Sequence, residues 1–86
     1  MLMGSLQKLK RKLAANPKSI RFNDLTRVLN GLGYSQARSR GSHYVFRPQG
    51  TGPSVLVVKP HGGRSFCSQV DVQKVVELLE KEAADE

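Results

Sequence analysis

The apolar residues of this chain change their spacing twice, and those changes confine it to a narrow set of folds. Leu2, Leu6, Leu9 and Leu13 recur at intervals of three and four, as do Leu25, Val28, Leu29 and Leu32 and, later, Val72, Val75, Val76 and Leu79. That is the helical period, with one stripe buried per helix. Between Tyr34 and Lys59 the period falls to that of a strand. Tyr44 and Phe46 share one side of segment 42–47, while His43, Val45 and Arg47 share the other. The expected order is helix, helix, strand, strand, strand, helix. This is an α+β fold whose helices cover one face of a three-stranded antiparallel sheet and leave the other wet. Tyr44 and Phe46 then point at the helices, and His43, Val45 and Arg47 at water.

Local signals set the boundaries. With 86 residues the chain supports a single domain with one modest core. Residues 1–17 read as an amphipathic helix and linker, because Pro17 disfavours helical backbone at Asn16; residues 18–86 read as the core. The N-terminal helix could dock on the domain, serve a partner or lie on a membrane, and its narrow apolar stripe favours docking. Asn23 is the expected N-cap of the second helix, with Phe22 as its hydrophobic staple, and Gly31-Leu32-Gly33 ends it. Strands are expected over 34–39, 42–47 and 55–59, joined by a tight Arg40-Gly41 turn and a loop from Pro48 to Pro53. His61-Gly62-Gly63-Arg64 reads as a flexible, basic exit. Ser68 and Asp71 make a loose capping box for the last helix, along which Glu77 and Lys81 are spaced for an i,i+4 pair.

Charge narrows the partners. The formal net charge is +7, and it is unevenly spread: residues 1–64 carry twelve Lys and Arg against one acid, Asp24, while residues 65–86 carry six acids against Lys74 and Lys81. A basic strand region attracts a polyanion, so nucleic acid is the first partner to consider. A membrane surface, an acidic protein partner and an ordinary solvated surface are the alternatives. Cys67, the single cysteine, excludes an internal disulfide and a multi-cysteine metal site. His43 and His61 lack the close helical spacing of zinc motifs, so no metal is expected. The longest apolar run, Val55 to Val58, is far short of the roughly 20 residues that span a bilayer. Lys8, Lys10, Arg11 and Lys12 are followed by no apolar leader core, and the expectation is a cytoplasmic protein.

Gly41-Ser42-His43-Tyr44-Val45-Phe46 resembles the Gly-Ser-His motif, closed by an aromatic, of HicA-type toxins from bacterial type II toxin–antitoxin systems. Ile20-Arg21-Phe22 leading into a helix that ends Leu-Gly-Tyr looks like the first helix of that family. Val57-Val58-Lys59-Pro60-His61 looks like its third strand. The likeness covers residues 19–82. It implies a fold like the double-stranded-RNA-binding domain, here with an extra N-terminal helix. It also implies a ribonuclease acting on mRNA through one histidine of the second strand, His43, and a HicB-type antitoxin that covers the site. Two features depart from it. Cys67, Ser68 and Gln69 stand where duplex binders carry a basic cluster at the start of the last helix, which favours single-stranded or loop RNA. The chain also ends in acidic residues, from Glu80 to Glu86.

Elementary chemistry is compatible with the same residue. RNA carries its own nucleophile, the 2′-hydroxyl, so cleavage needs proton transfer and charge stabilisation and no small-molecule cofactor. An imidazole is suited to the first task, and Arg38, Arg40, Arg47 and Lys59 to the second. Gly41 allows close backbone approach. Ser42 reads as a turn hydroxyl, since no acid–base partner is evident. His61 is either a second proton donor or an idle loop histidine. Gly62-Gly63-Arg64-Ser65 is either a phosphate cradle or, the better reading, a connector. Cys67 reads as small-residue packing.

Overall fold

A computed structural model of the chain describes residues 5–84. Leu2 of the first apolar stripe and the terminal Asp85 and Glu86 lie outside the described residues. The elements are α1 (Ser5–Ala15), α2 (Phe22–Gly31), β1 (Tyr34–Arg40), β2 (His43–Pro48), β3 (Val55–Val58) and α3 (Gln69–Ala84). The fold is α+β, with three helices and an open three-stranded antiparallel sheet in the order β1-β2-β3. The expected sequence of elements is the one observed.

The three stripes meet in one core. Leu13 of α1, Leu25, Val28 and Leu29 of α2, and Val72, Val75 and Val76 of α3 are buried with Ile20, Phe46, Val57 and Cys67. Leu32, which caps the end of α2, and Leu79, both expected in that set, are only partly buried. The arm therefore docks. Leu6 and Leu9 pack on the core, and Gly31 is where α1 approaches α2 so closely that a Cβ would collide with Leu6. Glycine within a helix costs about 1 kcal/mol relative to alanine; here it makes room for a neighbouring helix.

Several local signals are corrected. The N-cap of α2 is Arg21, two residues before Asn23, and its side chain makes no capping bond; the first helical bond runs from the Leu25 amide to the Arg21 carbonyl at 3.0 Å. Phe22 is the first residue of α2 and not a staple ahead of it, and its ring packs on Tyr44 with centroids 5.0 Å apart. The β1–β2 turn falls on Gly41-Ser42, one residue later than expected. Arg40 and His43 pair, and Gly41 takes the left-handed φ of 60° that a two-residue turn with glycine first requires. Glu77 and Lys81 form no ion pair.

Asp71 departs most from expectation. Ser68 does cap α3, its Oγ accepting from the Asp71 amide at 3.2 Å. The Asp71 carboxylate, however, turns to the sheet: Oδ2 accepts from the Val58 amide at 2.9 Å, and Oδ1 lies 3.2 Å from Lys74 Nζ. Lys74 Nζ in turn donates to the Leu56 carbonyl at 2.9 Å. The two side chains thus satisfy an amide and a carbonyl of β3, an edge strand, where a further strand would otherwise pair. Asp71, 4% exposed, is the buried charged residue among those described.

Candidate functional site

Alternation along β2 puts Tyr44 and Phe46 under the helices and His43, Val45 and Arg47 on the open face, as expected. Phe46 is buried, and His43 and Arg47 are exposed. Residues directly opposite each other in antiparallel strands present their side chains on the same side, with Cβ atoms about 4.5–5.5 Å apart. The register therefore builds the open face in rows. Arg40, His43 and Val58 form the first, and Arg38, Val45 and Leu56 the second; Arg47 follows, opposite Ser35. The face is a short aliphatic band, Val45, Leu56 and Val58, with His43 at one end and three arginines around it.

A bulge creates this arrangement. Gln36 pairs with Phe46, yet Arg38 pairs with Val45, so Ala37 is an extra residue with no partner. Uninterrupted pairing would set Ala37 opposite Val45 and Arg38 opposite Tyr44, sending Arg38 and Arg40 towards the helices. The inserted residue turns both onto the side of His43. Tyr34 packs against the core and shares its period-two parity with Gln36, Arg38 and Arg40, so the bulge is what lets one strand cover the tyrosine and expose both arginines. A strand without a bulge would have to bury either the tyrosine's opposite neighbours or two arginines.

The electrostatics follow from what these cations do not touch. Lys10–Glu82, Lys12–Asp24 and Lys74–Asp71 form ion pairs, and none of the three lies on the open face. Arg38, Arg40, Arg47, Lys59 and Arg64 have no described carboxylate within salt-bridge reach. Among the described residues no hydrogen bond reaches the His43 ring.

The remaining sequence candidates fall around this face. Ser42 lies in the turn beside Gly41, half-buried, and its carbonyl accepts from the Lys59 amide at 2.7 Å. Lys59 lies one residue past β3, where alternation takes it off the row of His43. It joins His61 in lining a concavity of about 360 Å³ together with Val58, Pro60 and Arg64. Arg64 belongs to the Gly62-Gly63-Arg64-Ser65 segment, for which the sequence favours a connector over a phosphate cradle, and charge in a glycine-rich loop carries no period that would place it beside Lys59 and His61.

Cys67 packs in the core at 4% exposure. Burial, reinforced by the nearby Asp71 charge, pushes its thiol up to about 11. It is a protonated packing residue. Among the described residues no three His, Cys, Asp or Glu side chains are grouped to hold a metal ion, and no helix is long and apolar enough to cross a membrane.

Comparison of this chain with protein-family models, with curated proteins and with solved structures returns no match. The likeness to HicA-type toxins rests on the residues of the sequence alone.

Proposed function

We propose that this chain is a ribonuclease toxin of the HicA type, a cytoplasmic, metal-independent endoribonuclease that cleaves mRNA with His43 and is silenced by a HicB-type antitoxin. The observation that carries the proposal is the placement of His43. Its ring is exposed on an open sheet face, directly between Arg40 and Val58, among arginines that have no ion-pair partner among the described residues. The α2-β1-β2-β3-α3 order supports reading the core as similar to the double-stranded-RNA-binding domain, with α1 as an addition.

In this reading the backbone of a single strand or loop lies across the rows, with its sugars and bases against Val45 and Leu56. Neutral His43 takes the proton of a 2′-hydroxyl, whose oxygen attacks the adjacent phosphorus. The bond from phosphorus to the 5′-oxygen breaks, and that oxygen takes a proton from water. Arg40 and Arg38 stabilise the charge that gathers on the phosphate. The products are a 2′,3′-cyclic phosphate and a 5′-hydroxyl. Incubating purified protein with RNA in the presence of a chelator, and determining the chemistry of the ends, tests this. Cyclic-phosphate ends support it, and intact RNA refutes it.

One observation favours a second reading, a non-catalytic RNA-binding module of the same fold: among the described residues no hydrogen bond orients the His43 ring. A module of that kind binds RNA with an affinity that falls steeply with salt, and leaves no product ends.

A further inference from the structure

The concavity at the end of β3 is built differently from the flat face beside it. It is lined by Val58, Lys59, Pro60, His61 and Arg64, so three of its five residues carry nitrogen donors and none carries a carboxylate. The Arg64 amide turns back to the His61 carbonyl at 3.4 Å, which keeps both side chains at one mouth. Between them Gly62 takes a left-handed φ of 70°, and neither Gly62 nor Gly63 has any atom within 4 Å of where a Cβ would stand. The backbone of the turn is open to approach by a ligand.

Its position relates it to His43. Val58 lines the concavity and is also the cross-strand partner of His43. The Lys59 amide is tied to the Ser42 carbonyl, one residue before His43. One strand spacing combined with one residue rise separates Lys59 from His43, about 6 Å between backbones. Lys59 alternates to the other side of the sheet from His43, so the concavity meets the His43 row at the strand end through Val58, which belongs to both.

We infer that this concavity is a phosphate subsite, which holds the phosphodiester next to the one cleaved at His43. The assignment of the neighbouring phosphate rests on the ribonuclease proposal. The chemistry of the pocket, an oxyanion bound by Lys59, Arg64 and His61 with the 62–63 amides at hand, does not. Arg64 presents a planar fork that suits two phosphate oxygens, and Lys59 supplies a point charge. The 61–64 turn thereby fixes the path of the RNA past the histidine.

Two measurements on the full chain test it. In the first, inorganic phosphate is titrated against the isotope-labelled protein at constant ionic strength, with chloride as the control anion. The subsite predicts saturable shifts of the Gly62, Gly63 and Arg64 amides and of the His61 ring, lost in a folded K59A/R64A variant. Shifts spread evenly over all cationic positions, or unchanged in that variant, would overturn it. In the second, an oligonucleotide with one mapped cleavage site is cleaved by wild type and by Arg64→Ala. The variant should raise KM about tenfold with kcat within a factor of about two. A methylphosphonate at one of the two phosphates flanking the cleaved one should impose the same penalty on wild type and none on the variant. Equal penalties on both proteins would remove the neighbouring-phosphate assignment. If wild type cleaves no RNA, the ribonuclease proposal fails, and the phosphate titration still decides whether the pocket binds.

Discussion

Arg40 stands directly opposite His43 across the β1–β2 hairpin, on the same side of the sheet. The pairing sets a permanent positive charge beside an exposed imidazole, and it makes a measurable claim about RNA binding. Arg40→Ala, made in a His43→Ala background so that the RNA survives, should lower affinity and reduce the slope of log K against log salt by about one. Arg40 is exposed, so stability should change by no more than about 0.5 kcal/mol. Fluorescence anisotropy over a salt series checks the first expectation and thermal melting the second.

Deleting Ala37 should do more than either arginine substitution. Removal of the extra residue restores regular pairing and turns Arg38 and Arg40 towards the covered face. RNA affinity should fall as far as in the Arg38→Ala/Arg40→Ala double variant, and the melting temperature should fall as well. An unchanged salt slope in the deletion would show that the bulge does not orient these side chains.

That bulge also marks where the sequence stopped being legible. Element order and the faces of β2 follow from apolar spacing, because Phe46, Val57 and the leucine and valine stripes leave few ways to bury themselves together; for α1 that spacing favoured docking over a partner or a membrane without deciding it. Exposure of His43 was readable for the same reason. The position of Arg38 was not, since it depends on one unpaired alanine that breaks the count between Tyr34 and the strand end. Asp71 was misread because a capping pattern sees only three residues either way, whereas its carboxylate is claimed by Val58, thirteen residues earlier in the chain. The start of α2 also differed, with Phe22 inside the helix and its ring on Tyr44 of a distant strand.

Asp71 and Lys74 are expected to differ in their contribution to stability. Asp71→Ala leaves a part-buried Val58 amide without its acceptor and should cost about 1–3 kcal/mol in urea unfolding. Lys74→Ala removes a largely exposed partner and should cost about 1 kcal/mol or less. Equal losses would contradict the view that the buried carboxylate contributes more to closing the β3 edge than the exposed lysine does.

Cys67 supplies a pH signature. With the thiol held near 11, thiolate is scarce in the native state at pH 8, so alkylation should be slow until denaturant is added. The folded value is raised above that of an unfolded thiol. The stability associated with it is therefore complete below about pH 9.0, the unperturbed thiol value, and is lost as the pH climbs from there towards 11. Cys67→Ala should flatten that decline relative to wild type, as chemical unfolding at pH 8, 9.5 and 10.5 would reveal.

The account stands or falls with the imidazole of His43. RNA should be incubated with wild type and with His43→Ala, both in chelator, and the cleavage rates and melting temperatures compared. The expected result is 2′,3′-cyclic phosphate ends from wild type, a loss of about 10²-fold or more in the variant, and melting temperatures that agree. A folded His43→Ala protein that cuts RNA as fast as wild type would contradict it.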